Sequence, residues 1–204
     1  MKTSVQNSLV DLFSKNAVFE DVPVLVTTLP EEIFNEFKSF QEKCEEIRYS
    51  KFSFLREHIN EGNNSYQVSV PKNLVEDSFA FAYLIYLGQY YLKKMDNISF
   101  EDSVRRIRLR QIEDHFDGYD LWINFSEKGS ENPKHTHSGG KGLSGVVYMS
   151  ECETPTIFDD KITFYGQPGQ VVIFPASLYH SVPKQEELGT RVTFAFNLEV
   201  INNA

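Results

Sequence analysis

His135, His137 and His180 are three of the five histidines in a 204-residue chain, and their types and spacing suit a metal. In an extended segment residues i and i+2 point to one face, so His135-Thr136-His137 presents two imidazoles side by side while Thr136 faces away. Imidazole nitrogen suits iron, zinc, copper and nickel alike, so the pair points to a metal without naming it. Alone, such a pair also fits a surface loop. His180 ends the strand-like run GQVVIFPASLYH, 45 residues after His135, which leaves room for three or four short strands to bring it back to the pair. Two ligands on one strand and a third on a distant strand can complete one face of an octahedron.

Eleven residues after His180 comes Arg191-Val192-Thr193. On a strand, Arg191, Thr193, Ala195 and Asn197 share one face, while Val192, Phe194 and Phe196 share the other and are apolar enough to pack outward against helices. The first face then points into a barrel. An isolated buried cation is far too costly, so an inward Arg191 must be paired. Its fork suits a carboxylate, with the Thr193 hydroxyl adding a hydrogen bond. That carboxylate belongs either to an acidic ligand or to the chain itself. Trp122 and Asn124 lie on the strand before the histidine pair, which can carry Asn124 toward the same cavity, and Tyr148 could hydrogen-bond a carboxylate or serve packing. Gly139, Gly140 and Gly142 read as a flexible loop rather than a phosphate cradle, since no strand-to-helix context follows. Arg106, Arg108 and Arg110, in a run that includes Arg105, put three cations on one strand face, read as a solvated edge or as a docking surface for an acidic peptide or polymer.

The elements that must position these residues fall in two halves. LPEEIFNEFKSFQEKCEEIRY, from Leu29 to Tyr49, puts Ile33, Phe37, Phe40 and Cys44 at helical spacing, with Thr28 as a cap and Pro30 in the first turn. Asn73 to Met95 reads as a second, more buried helix through Phe79, Ala82, Tyr83, Tyr86, Leu87, Tyr90 and Tyr91, ending in Lys93 and Lys94. SKFSFLREHINEGNNSYQ, between them, reads as a loop. After about Val104 the period changes to two, giving strand candidates Ile107 to Ile112, Tyr119 to Ser126, Leu143 to Met149, Ile162 to Tyr165, Val171 to Phe174 and Arg191 to Val200. Short strands at that spacing indicate an antiparallel sandwich or barrel. One domain over 1–204 is expected, with 1–103 a mostly helical support region and 104–200 the β core.

Composition narrows the partners. Twenty Lys plus Arg against 29 Asp plus Glu give a net charge of −9, a field that disfavours general nucleic-acid binding. Cys44 and Cys152 stand 108 positions apart without a CxxC, which supports neither a disulfide scaffold nor a cysteine zinc site and fits a reducing cytosol. The N-terminal stretch is far from a signal sequence, and no window approaches a membrane span. The expected location is cytoplasmic, or host cytoplasm for a phage-encoded protein.

From about Tyr119 to Val200 the chain resembles the iron(II)- and 2-oxoglutarate-dependent oxygenases, whose fold is the double-stranded β-helix, a cupin-like jelly roll. The resemblance rests on YDLWINFSEKGSENPKHTH, LSGVVYM, PGQVVIFPASLYHSV and RVTFAFN, and is greatest to the small prolyl-hydroxylase-like branch met in phages and marine bacteria. It implies a mainly β roll over 104–200 with N-terminal supporting helices, and it implies iron(II), 2-oxoglutarate and O2, with ascorbate an optional accessory. His135 then matches the first metal ligand, His180 the distal one, and Arg191 with Thr193 the clamp on the far carboxylate of 2-oxoglutarate. Asn124 and Tyr148 would add co-substrate contacts. The departure is His137, where the family carries a carboxylate: either three neutral imidazoles leave the full charge on the metal and the 2-oxoglutarate dianion must neutralise it, or a carboxylate from elsewhere is the ligand and His137 stands behind it. The implied activity is hydroxylation of a peptidyl, prolyl among them, or small-molecule substrate, with release of succinate and CO2.

Two other readings share the roll. A three-histidine cupin would use the same HxH, but SGGKGLSG lacks the acid that cupins place after it, and Arg191 and Thr193 would have no role. A non-catalytic jelly-roll binding protein with a weakened metal centre is the other, kept open by His137.

Overall fold

The computed structural model describes residues 17–19, 22–49, 56–57, 65–96, 98–104, 106–112, 118–137, 139 and 141–201. Two helices cover one face of a large sheet, and a small sheet faces its other side. The order begins β1 (Ala17–Phe19), β2 (Val24–Thr28), α1 (Glu31–Tyr49), β3 (Arg56–Glu57), β4 (Ser65–Ser69), α2 (Lys72–Val75), α3 (Phe79–Met95) and α4 (Phe100–Val104). It continues β5 (Ile107–Leu109), β6 (Gln111–Ile112), β7 (Gly118–Tyr119), β8 (Leu121–Ser126), β9 (Asn132–His135) and β10 (Leu143–Tyr148). It ends β11 (Thr156–Phe158), β12 (Ile162–Phe164), β13 (Gln170–Pro175), β14 (His180–Val182) and β15 (Arg191–Val200).

The large sheet runs β1-β2-β13-β10-β15-β8-β4-β3 with β5 also on β15, the small one runs β12-β11-β14-β9, and every pairing is antiparallel. This is the double-stranded β-helix. Strand β8 shows how the sequence sets the two faces: Leu121, Ile123 and Phe125 are buried, while Trp122, Asn124 and Ser126 are half-buried on the opposite face. On β15, Phe194 points to the helices, its ring 5.1 Å from Phe37 and 6.5 Å from Phe40 of α1. Fully burying such a ring contributes about 1.5–3 kcal/mol, so this contact seats α1 on the sheet. Between the two sheets, Val24, Val26, Tyr148, Phe158, Val172 and Phe174 form a second, smaller core.

The segment read as one helix from Asn73 to Met95 is two. It breaks at Glu76–Ser78, where the Ser78 hydroxyl accepts from the Phe81 amide at 3.1 Å as the N-cap of α3. Glu36 of α1 accepts from the next free amide, Ala80, at 2.7 Å, so one helix caps the other. Phe79, expected on the buried face, is 74% exposed because the break turns it outward, and Ala82 is exposed as well.

The large sheet also crosses the division drawn at residue 104, since β2 pairs with β13 and β4 with β8. Ser65 to Gln67, read as loop, belong to β4, and Arg56–Glu57 form β3; the other residues of that stretch lie outside those described. Their polarity hid the strand. In register, Gln67, Asn124, Thr193 and Tyr148 align across β4, β8, β15 and β10, with Ser65, Ser126 and Arg191 in the adjacent row. A polar row on the inner face of a sheet needs a cavity to face. Arg108 and Arg110, on the edge, meet Glu199 at 2.7 Å and Asp120 at 3.8 Å, a solvated face; Arg105 lies outside the described residues. Among the described residues no helix is long and apolar enough to cross a membrane.

Candidate functional site

Register brings the first and last histidines together. His135, at the end of β9, is directly paired with His180, at the start of β14, and their ring centroids lie 4.3 Å apart. His137 is outside the strand, so the expected two-on-one-strand arrangement is not what places it. Its amide donates to the Ala176 carbonyl at 2.8 Å in the turn between β13 and β14, which holds its ring 4.9 Å from that of His180. His180 likewise opens a new strand instead of ending the run through β13, which stops at Pro175.

One ligand atom from each of the three histidines lies within 4.8 Å of the others, and no carboxylate joins this cluster among the described residues. Nδ1 of His135 is 2.7 Å from the Pro133 carbonyl and Nδ1 of His180 is 3.1 Å from the Leu178 carbonyl. A carbonyl only accepts, so each Nδ1 carries a proton and Nε2 is the atom left to face a metal, the orientation used in metal-bound histidine. Nε2 of His137 and Nε2 of His180 are 3.1 Å apart. Two imidazoles sharing an octahedral metal at 2.0–2.1 Å would be separated by about 3.0 Å, so this edge fits a metal as it stands.

Electrostatics favour the same state. Burial, then the neighbouring His180 and His135, push His137 down to about 3. Burial pushes His180 down to about 4, against the hydrogen bond to Leu178 and with help from His135. Both rings are therefore neutral at neutral pH, and a metal would not have to compete with an imidazolium.

Apart from Tyr148, which is packed in the smaller core, the polar row lines a cavity of about 280 Å³ together with these three rings, Trp122 and Thr156. That volume is at the small end of small-molecule sites, which run from about 300 to 1,000 Å³. Arg191 is only 6% exposed. Its Nη2 donates to Thr156 Oγ1 at 3.1 Å, its guanidinium sits 5.6 Å from the centre of the Tyr148 ring, and no acidic partner pairs with it among the described residues. Tyr148 Oη is 2.8 Å from the same Thr156 oxygen. Burial, only partly offset by Arg191 and Thr156, raises the Tyr148 phenol and keeps it protonated. Trp122 Nε1 donates to Asn124 Oδ1 at 3.1 Å, and Asn124 Nδ2 donates to Thr193 Oγ1 at 3.4 Å.

Thr156, Ser65 and Gln67 went unread in the sequence. Thr156 sits in a three-residue strand with no motif around it. Gly166 has a related role: a Cβ there would lie 2.2 Å from Tyr148 Cδ1, so only glycine leaves room for that ring. Gly139 has a positive φ and open space around it, consistent with a loop, and Gly140 lies outside the described residues.

A family model for 2OG-Fe(II) oxygenases matches residues 151–197, from the loop before β11 into β15. The comparison with curated proteins gives no match. Among solved structures, the viral collagen prolyl hydroxylase of Paramecium bursaria Chlorella virus-1, in complex with 2OG, is similar with a TM-score of 0.55 at 10% identity over 85% of this chain and 94% of that one. A Pseudomonas putida prolyl-4-hydroxylase is similar with a TM-score of 0.55 at 12% identity over 96% and 98%. HygX from Streptomyces hygroscopicus, with nickel, 2-oxoglutarate and hygromycin B bound, gives 0.53 at 13% over 97% and 87%. At such identities the likeness is one of fold. The chain thus has the fold of these oxygenases, matches their family model over residues 151–197 and brings three histidines together in one cluster.

Proposed function

We propose that the protein is an iron(II)/2-oxoglutarate-dependent hydroxylase in which His135, His137 and His180 hold the metal and Arg191 receives the far carboxylate of 2-oxoglutarate. The observation that carries this reading is a buried guanidinium with no acidic partner among the described residues, in the same cavity as three clustered imidazoles. Such a cation lacks a counter-charge among the described residues, and an acidic ligand supplies one.

The hydrogen-bond count supports it. Arg191 can only donate, and Thr156 accepts from it. Thr156 and Tyr148 share one further hydrogen bond, so one hydroxyl proton of the two is left to donate. That O–H and the remaining guanidinium N–H groups suit a carboxylate. Thr193 and Asn124 line the wall beside it and hold each other in place. The half-buried His135 and His137, the buried His180 and the buried Phe174, at 4.8 Å from His180, limit water on the metal side. When bound, iron(II) supplies the redox chemistry that couples decarboxylation of 2-oxoglutarate, to succinate and CO2, with oxygen insertion into a C–H bond.

The substrate is proposed to be peptidyl, with prolyl the leading candidate, or a small molecule; similar structures include prolyl hydroxylases and a protein with hygromycin B bound. The test is O2-dependent conversion of 2-oxoglutarate to succinate by the iron-loaded chain. It is expected in wild type and lost in Arg191→Ala. Folded, iron-loaded wild type that forms no succinate in the presence of candidate peptides and small molecules would overturn the reading.

A further inference from the structure

We propose that the metal is held cooperatively with the dianionic co-substrate, and that the neutral imidazole of His137 is what makes the coupling strong. This inference rests on the oxygenase reading above. The three ligating side chains bring no negative charge. The groups behind His135 and His180 are the Pro133 and Leu178 carbonyls, not carboxylates, so neither of these rings relays a negative charge to the metal. The fixed charge within the cavity that the structure shows buried is Arg191, which has the same sign as the metal. Glu131, also on the wall, is exposed and is not part of the cluster.

A divalent ion therefore enters a cavity that already holds one buried cation and no ligating anion. Like charges in a site of reduced dielectric repel. The 2-oxoglutarate dianion answers both at once, one carboxylate toward the metal and the other toward Arg191. Metal affinity is low without it and rises with it, and by reciprocity the metal raises the affinity for 2-oxoglutarate by the same factor. Chelation alone gives some coupling; the part owed to charge is what a carboxylate at position 137 removes.

The experiment is calorimetric titration of the full chain with Mn(II), with and without saturating 2-oxoglutarate, in wild type and His137→Asp. In wild type, 2-oxoglutarate is expected to tighten Mn(II) on the order of 30-fold. In His137→Asp, Mn(II) alone binds more tightly and the gain falls below about 5-fold. His137→Glu repeats the comparison with a longer reach should the Asp variant misfold. Equal gains in wild type and the carboxylate variants overturn the inference. So does a wild type whose Mn(II) affinity ignores 2-oxoglutarate although the co-substrate binds elsewhere on the Mn(II)-loaded protein. A Mn(II)-loaded wild type that binds no 2-oxoglutarate at all removes the oxygenase reading itself, a different result from either.

Discussion

Replacing Arg191 with Met separates a receptor from a structural residue, because the first assignment leaves stability nearly unchanged and the second predicts a large loss. In the free protein the side chain is 6% exposed and holds only the 3.1 Å bond to Thr156 and the 5.6 Å approach to the Tyr148 ring. Losing them costs about 1.5–3 kcal/mol for the hydrogen bond from a charged donor and about 1 kcal/mol for the ring contact. Against this stands the desolvation of a buried charge, several kcal/mol, which Met relieves while filling a similar volume. The two nearly cancel, so Arg191→Met should unfold within about 4 °C of wild type, given roughly 2–4 °C per kcal/mol for a chain of this size. Binding moves the other way. Truncating one partner of a buried charged hydrogen-bond pair costs about 2–5 kcal/mol, so 2-oxoglutarate affinity should fall at least about 30-fold. Thermal unfolding and calorimetry of the Mn(II)-loaded protein read the two quantities separately. A variant destabilised by about 10 °C that still binds 2-oxoglutarate normally would refute the reasoning, since Arg191 would then serve the fold.

Three further outcomes are expected. Gly166→Ala puts a methyl 2.2 Å from Tyr148 Cδ1, so it should displace that ring and raise the KM for 2-oxoglutarate while Mn(II) affinity without co-substrate stays put; unchanged KM would show that Tyr148 is not part of the acid pocket. Asp159 and Asp160 both have positive φ, 49° and 56°, in the tight turn joining β11 to β12. Asp160→Gly should therefore stabilise the protein by about 0.5–1 kcal/mol in chemical denaturation despite losing the exposed Lys134 ion pair, because glycine favours this backbone and such pairs contribute little. The metal-free protein should lose stability on acidification. With His137 near 3 and His180 near 4 in the folded chain, against 6.5 when unfolded, the unfolded chain binds more protons between those limits. Stability is thus full above pH 6.5 and falls as pH drops toward 4, a slope that denaturant midpoints should show in wild type and not in a His137→Gln, His180→Gln double variant.

What the sequence made legible follows residue chemistry. Histidines and an arginine amid strand periodicity announce themselves by type, so His135, His137, His180 and Arg191 could be named before their geometry was known. The apolar stripe of α1 and the alternation of apolar and polar types along β8 and β15 were equally plain, because an apolar face toward the helices leaves a period. Ser65 and Gln67 were not, because the inner face of this roll is polar where it meets the cavity and the usual alternation is lost there. Strand β9, NPKH, carries a proline and three exposed residues, and nothing in its pattern says strand until β14 pairs with it. The break before α3 depends on one hydroxyl, Ser78, and on a carboxylate from another helix, a tertiary contact that local propensity does not contain.

The most direct test of the metal and acid sites together is optical. Iron(II) is added to the metal-free protein without oxygen, then 2-oxoglutarate, and the visible absorption is followed. A charge-transfer band that grows with 2-oxoglutarate to one equivalent, and is lost in Arg191→Met at matched concentrations, is the expected result. Fully folded, iron-loaded wild type that develops no band at saturating 2-oxoglutarate would contradict it.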